Sequence, residues 1–137
     1  MLQTKRLEDI LAPIQGPLTE METALAIEIP GGFTLLASLR EALARQRGKR
    51  LRPSLVFLSG SAVGEVSQLH LRIAILTELI HAASLIHDDI IDGADMRRGH
   101  PSLSRQWGSP IAVVFGDLLF SVSFRLTETL KDSAIRQ

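Results

Sequence analysis

Asp88, Asp89 and Asp92 crowd into about one helical turn at the end of a run of Ile, Leu and Ala, and Asp95 follows close behind. Carboxylates this dense repel one another unless a positive charge sits among them. Their oxygens are hard ligands, and the cation that suits them is Mg²⁺, which keeps several waters and is usually completed by substrate phosphates. At about 100° per residue of helix, His81, Asp88 and Asp92 lie within roughly 20° of one line, with Ser84 on the same side. Asp89 sits about a quarter-turn away, within reach of a ligand shared with its neighbours. A solvated helix end accounts poorly for this cluster, because acidic groups at a helix C-terminus oppose the helix dipole.

Two basic patches supply what a phosphate would need. Lys49, Arg50 and Arg52 precede a helix start, and Arg97 and Arg98 follow the acidic cluster. Arginine forks match phosphate oxygens two at a time, whereas lysine acts as a point charge. Either patch alone reads as a solvated charge run. Together with an acidic trio and a histidine on an otherwise apolar helix, they read as a site for a metal ion and a phosphate-bearing ligand.

Helices must position these groups. Pro13, Gly16 and Pro17 predict a short helix, a break, and a second helix over about 18–27, before a firm loop at Pro30-Gly31-Gly32. Leu35, Leu36, Leu39 and Leu43 recur at helical spacing over 33–46. Pro53 suits the first turn of a helix that stops at Gly64. Ser67 is a reasonable N-cap for a long helix reaching Ile91, with Gly93 as its stop. A polar loop follows, and Ser109-Pro110 opens a last helix expected to continue to about Lys131. The segments 73–91 and 111–119 are apolar on nearly every face, which suits the centre of a larger bundle. Such faces predict self-association, most simply as a two-fold dimer, or cover by another chain.

The composition of the 137 residues narrows the classes further. Apolar content is high and aromatics are scarce, a mix that favours an all-α helical bundle over a β-sandwich. Fifteen basic and fifteen acidic residues balance, which argues against broad nucleic-acid binding. There is no cysteine, so disulfides and thiolate metal sites are excluded and the cytoplasm is the expected compartment. The N-terminal MLQTKRLEDI is charged, with no apolar signal core. No uninterrupted apolar run reaches the roughly 18 residues of a membrane span, so no transmembrane segment is expected.

The motifs GKRLRP at 48–53, ELIHAASLIHDDIID at 78–92 and MRRG at 96–99 come in this order, and GDLLF follows at 116–120. In this they resemble the head-to-tail trans-polyprenyl diphosphate synthases, from about Leu35 onward. DDIID is similar to the first aspartate-rich motif of that family. The resemblance implies about half of the isoprenoid synthase fold, a single helical domain over 1–137 matching its N-terminal half. It also implies Mg²⁺-dependent condensation of isopentenyl diphosphate with an allylic diphosphate. On that resemblance Asp88 and Asp92 would hold Mg²⁺ on the allylic diphosphate, with Asp89 assisting and Arg97 touching the same group. Lys49, Arg52, His81 and Arg98 would bind isopentenyl diphosphate, and Arg50 takes a smaller role. Ala83 and Ser84, five and four residues before the first aspartate, would set product length. Both are small, which implies a medium or long polyprenyl product.

The match also has a gap. Family members are about twice as long, and their second half carries a further aspartate-rich motif and a lysine. After Asp92 only Asp95, Asp117 and Asp132 occur, each alone. The chain by itself is therefore expected to turn over little or no substrate. Two other classes stay open from the residues: a non-catalytic or half-site subunit of a heteromeric synthase, and a helical metal phosphohydrolase. For the latter, His81 and the His87-Asp88 pair would be ligands of a transition metal.

Overall fold

The computed structural model describes residues 7–46 and 48–130. Among these, seven α-helices succeed one another: α1 (Leu7–Leu11), α2 (Gln15–Glu28), α3 (Thr34–Arg45), α4 (Leu51–Val63), α5 (Gln68–Ile91), α6 (Leu103–Trp107) and α7 (Ser109–Glu128). A 3-10 turn (Ala12–Ile14) joins α1 to α2, and a small antiparallel hairpin of β1 (Met96–Arg97) and β2 (His100–Pro101) follows α5. The chain is all-α apart from that hairpin.

α5 runs through the middle, with α7 along it, α4 packed on it and α2 across it. The core is filled by Ile75, Leu79 and Ile86 of α5, Phe115, Leu119 and Val122 of α7, Phe57 of α4 and Met21 of α2. Both ends of α5 carry the signals its sequence offers. The Ser67 N–H donates to His70 Nδ1 at 3.0 Å. At the other end Gly93 takes φ 63, its N–H donates to the Ile90 carbonyl, and the Ala94 N–H donates to the Asp89 carbonyl at 2.8 Å. That pair of bonds is the Schellman arrangement, which needs a left-handed residue where Gly93 stands.

Elsewhere the structure departs from the periodicity. The break expected near Gly16 and Pro17 is absent, and α2 begins at Gln15. Pro17 is its third residue, where the missing N–H would have had no intrahelical partner. Pro13 instead sits in the 3-10 turn. The loop after Gly93 is more ordered than a polar loop. Arg98 and Gly99 both have positive φ, 50 and 80, as a two-residue type I′ hairpin turn requires. Ser102 then caps α6 by accepting from the Arg105 N–H. α7 ends at Glu128, and the expected end at Lys131 lies outside the described residues.

α5 and α7 approach closely at one point. A Cβ on Gly116 would overlap the His87 ring, which lies 3.3 Å by Nε2 from the Val113 carbonyl and packs on Phe120. By length and composition alone these two helices are apolar enough to cross a membrane, although neither holds an uninterrupted apolar run of that length. The core helices of a bundle meet the same test. Here α5 and α7 bury much of their apolar surface against each other and against α4.

Candidate functional site

The site is built on α5, on the segment leading into α4, and on the hairpin. Two lines of acidic residues run along α5. His81, Asp88 and Asp92 form the line legible from spacing. Glu78 and Asp89 form another: three helical turns apart, they point within roughly 20° of a common direction. Both members of the second line are buried, at 8% and 4% exposure.

Each buried carboxylate has an arginine. Arg97, on β1, donates from Nε to Asp89 Oδ1 at 2.9 Å, and its Nη2 bonds the same carboxylate. Asp89 thereby raises the pKa of Arg97 further, first through that hydrogen bond, with burial opposing and the charges of Asp89, Asp88 and Asp92 reinforcing. Arg50 bonds Glu78 through Nη1 and donates from Nε to Glu22 of α2 at 3.2 Å. Breaking either buried pair would leave a charge stranded away from water.

The segment before α4 is strapped from both sides. On one side stands the Arg50 pair. On the other, Arg98 donates to the Gln46 carbonyl at 2.8 Å, and Gln46 Nε2 donates to the Pro101 carbonyl at 2.9 Å. The Arg98 guanidinium lies directly over Gly48, where any Cβ would collide with it. Arg50 itself adopts the left-handed conformation, φ 52 and ψ 36, and its carbonyl accepts from the Ser54 N–H and the Ser54 hydroxyl. Among the described residues Arg50 and Arg98 are the non-glycine residues with positive φ. One lies in each basic patch, and such conformations persist only where surroundings hold them.

Between α2, α3, α5 and the hairpin lies a cavity of about 350 Å³. Its wall brings together His81, Asp89, Arg97 and Arg98 from the sequence reading, adds Glu78 and Arg50, and is otherwise largely apolar, with Leu25, Ile29 and Leu43. Lys49, Arg52, Asp88 and Asp92 are exposed and stand off that wall. Ala83 is fully buried in the core, and Ser84 donates its hydroxyl to the Ile80 carbonyl; neither lines the cavity. Asp88 and Asp92, expected beside His81 on one face of α5, therefore lie outside the cavity that His81 lines. The helix phase that aims Asp89 at Arg97 turns its neighbours outward. His87, the residue that raised the hydrolase alternative, faces α7 instead.

Positive charge from separate segments converges on His81. Burial lowers its pKa first; the charge of Arg52 adds to this, Glu78 opposes it, and Arg98 and Arg97 lower it further. Burial and the surrounding positive charge both disfavour protonation of the His81 imidazole.

Asp88 and Asp92 form no side-chain hydrogen bond or ion pair among the described residues. A pair of exposed oxygen donors one turn apart fits a hard cation such as Mg²⁺ and not a soft one. Among the described residues no group of three or more acidic or histidine side chains could hold a metal ion. The protein would contribute two carboxylates, leaving the other positions to water and phosphate, as is usual for Mg²⁺.

The chain is similar to known proteins in sequence and in fold. The polyprenyl synthetase family model matches residues 34–137. A prenyl transferase of Cyanophora paradoxa is 40% identical over 118 residues, covering 84% of this chain and 36% of its own length. An all-trans-nonaprenyl-diphosphate synthase (geranyl-diphosphate specific) of Rhodobacter capsulatus is 33% identical over 120 residues, covering 87% of this chain and 37% of its own. The crystal structure of a polyprenyl synthase from Caulobacter crescentus, complexed with calcium and isoprenyl diphosphate, matches with a TM-score of 0.87. Its sequence is 25% identical, and the match covers 98% of this chain and 41% of that one. The chain spans well under half the length of the relatives it matches.

Proposed function

The chain belongs to the polyprenyl synthetase family, and on that premise we propose that it carries the first metal- and diphosphate-binding half of a prenyltransferase. The reaction is head-to-tail condensation of isopentenyl diphosphate with an allylic diphosphate. The observation that carries this reading is that His81 of α5 and Arg97 and Arg98 of the hairpin line one cavity. Arginines gathered about one imidazole on a cavity wall suit a ligand bearing several negative oxygens.

In this reading Arg97, backed by the buried Asp89, meets the allylic diphosphate. Lys49, Arg52, His81 and Arg98 hold the isopentenyl diphosphate, His81 through a hydrogen bond. Asp88 and Asp92 would hold Mg²⁺, which offsets the charge that gathers on the departing diphosphate as the allylic C–O bond breaks. The carbon–carbon bond then forms from the double bond of isopentenyl diphosphate, and the released diphosphate takes up the proton that leaves the product. No protein nucleophile is needed. The preorganised arginines stabilise the leaving oxygens, and apolar walls keep water from the allylic cation. Small side chains at Ala83 and Ser84 favour a medium or long product. The exposed Ile80, Val114 and Phe124 suit a second copy or the remainder of a synthase fold as cover, in a cytoplasmic setting.

Calorimetric titration of the chain with inorganic diphosphate, with and without Mg²⁺, tests the binding half of this proposal. Binding should require Mg²⁺ and be lost in Asp88→Ala; its absence from the unaltered chain would overturn the assignment. Assayed by itself, the chain should elongate little. Each missing preorganised charge contact costs roughly 10²–10³ in rate, so prenyl transfer should appear only when the C-terminal part of a family relative is supplied.

A further inference from the structure

Arg50 sits between Lys49 and Arg52 in sequence but behaves differently from both. Their side chains are exposed. The Arg50 side chain is only 17% exposed and is turned inward onto Glu78, whose side chain is 10% exposed, and onto Glu22. All the directional capacity of its guanidinium that the structure shows is spent on protein carboxylates from α2 and α5. Its backbone is held in the left-handed region, and its carbonyl carries the first turn of α4 through Ser54. Glu78 lies one turn before His81 on α5, so the Arg50–Glu78 pair ties the segment bearing Lys49 and Arg52 to the helix bearing His81.

We infer that Arg50 is a positioning residue: it binds no substrate, and its ion pairs with Glu78 and Glu22 fix the backbone so that Lys49, Arg52 and His81 face one diphosphate. The inference rests on the function proposed above. It assigns Glu78, an acidic residue inside a site for anions, a purpose: it neutralises Arg50 and anchors the basic segment. Lysine cannot replace Arg50, because an ammonium group lacks the planar fork that reaches two carboxylates at once.

The test is binding of inorganic diphosphate with Mg²⁺ by calorimetry. Arg50→Gly removes the guanidinium while leaving a residue at ease with the left-handed backbone. In a second variant, Arg50→Gln with Glu78→Gln, both charges go together, so neither is stranded and folding is protected. Both should bind on the order of tenfold more weakly, as misplacement of binding groups does, with circular dichroism showing the helices intact. Arg50→Lys should resemble Arg50→Gly. In a Lys49→Ala, Arg52→Ala background the same changes should cost less than about twofold, because a residue acting through Lys49 and Arg52 has nothing left to position. An equal loss in both backgrounds would mean that Arg50 touches the ligand itself and would overturn the inference. So would full affinity in folded Arg50 variants. Failure of the unaltered chain to bind diphosphate would instead reject the functional reading, and this inference with it.

Discussion

Asp88 and Asp89 are neighbours of the same residue type at the same end of one helix, and they occupy opposite environments. Asp89 is buried and clasped by Arg97, as Glu78 three turns earlier is clasped by Arg50. Asp88 and Asp92 are exposed, and among the described residues no arginine or lysine closes on them. The buried line meets its positive charge within the chain, and so it organises the two basic segments around α5. The exposed line keeps its oxygens for a cation from outside. Helix phase alone separates the two roles, since a rotation of about 100° per residue carries one aspartate inward and the next outward.

The largest test of that contrast is removal of the buried acid. Asp89→Ala strands the Arg97 guanidinium and should cost about 3–5 kcal/mol of stability, the usual result of deleting one partner of a buried pair. Asp88→Ala, one residue away, should stay within about 0.5 kcal/mol, as surface changes do. Urea unfolding of the two variants, read at constant slope, measures both. Equal losses would break the comparison.

The sequence showed one of these lines and hid the other, for a physical reason. His81, Asp88 and Asp92 were found because periodicity marks polar residues on an apolar helix. Glu78 and Asp89 obey the same periodicity, yet recognising them needs a partner, and Arg50 and Arg97 lie far off in the chain or across a turn. The detectable hint was a carboxylate, Glu78, on the face of α5 that also carries Leu71, Ala74 and Ile75, where no acid stays unpaired. Helix ends at Ser67 and Gly93 were legible because capping is local. The start of α2 is hidden in the sequence because Pro17 breaks a helix interior but is tolerated in a first turn, where it stands here. The hairpin was missed because its turn uses Arg98 at a position where asparagine or glycine is usual. Strain of that kind is written in tertiary contacts, such as Arg98 on the Gln46 carbonyl.

A smaller effect tests the strapped segment. Gly48→Ala places a methyl group where the Arg98 guanidinium lies. The obstacle is the far end of a flexible side chain, so Arg98 should swing aside and the fold should survive. The cost is one hydrogen bond to the Gln46 carbonyl, about 1 kcal/mol. Diphosphate binding should weaken together with it, and thermal unfolding beside calorimetry would read the two. A change in stability with unaltered diphosphate affinity would show that the strap serves the fold alone.

The smallest effect carries the opposite sign. Asp92 caps the C-terminus of α5, where the helix dipole disfavours a negative charge. Without Mg²⁺, Asp92→Asn should therefore raise stability by about 0.3–1 kcal/mol at low ionic strength. The gain should fade in high salt, because exposed charges are screened within a few ångströms there. Adding Mg²⁺ with diphosphate should reverse the order. The unaltered chain gains stability by binding them in the folded state only, and the variant, with a neutral amide in place of one of the two carboxylates, gains less. Melting temperatures of both chains at low salt, at high salt and with Mg²⁺–diphosphate decide the matter. If Asp92→Asn lost stability without metal, Asp92 would hold a partner within the fold, and the exposed line would be no different from the buried one.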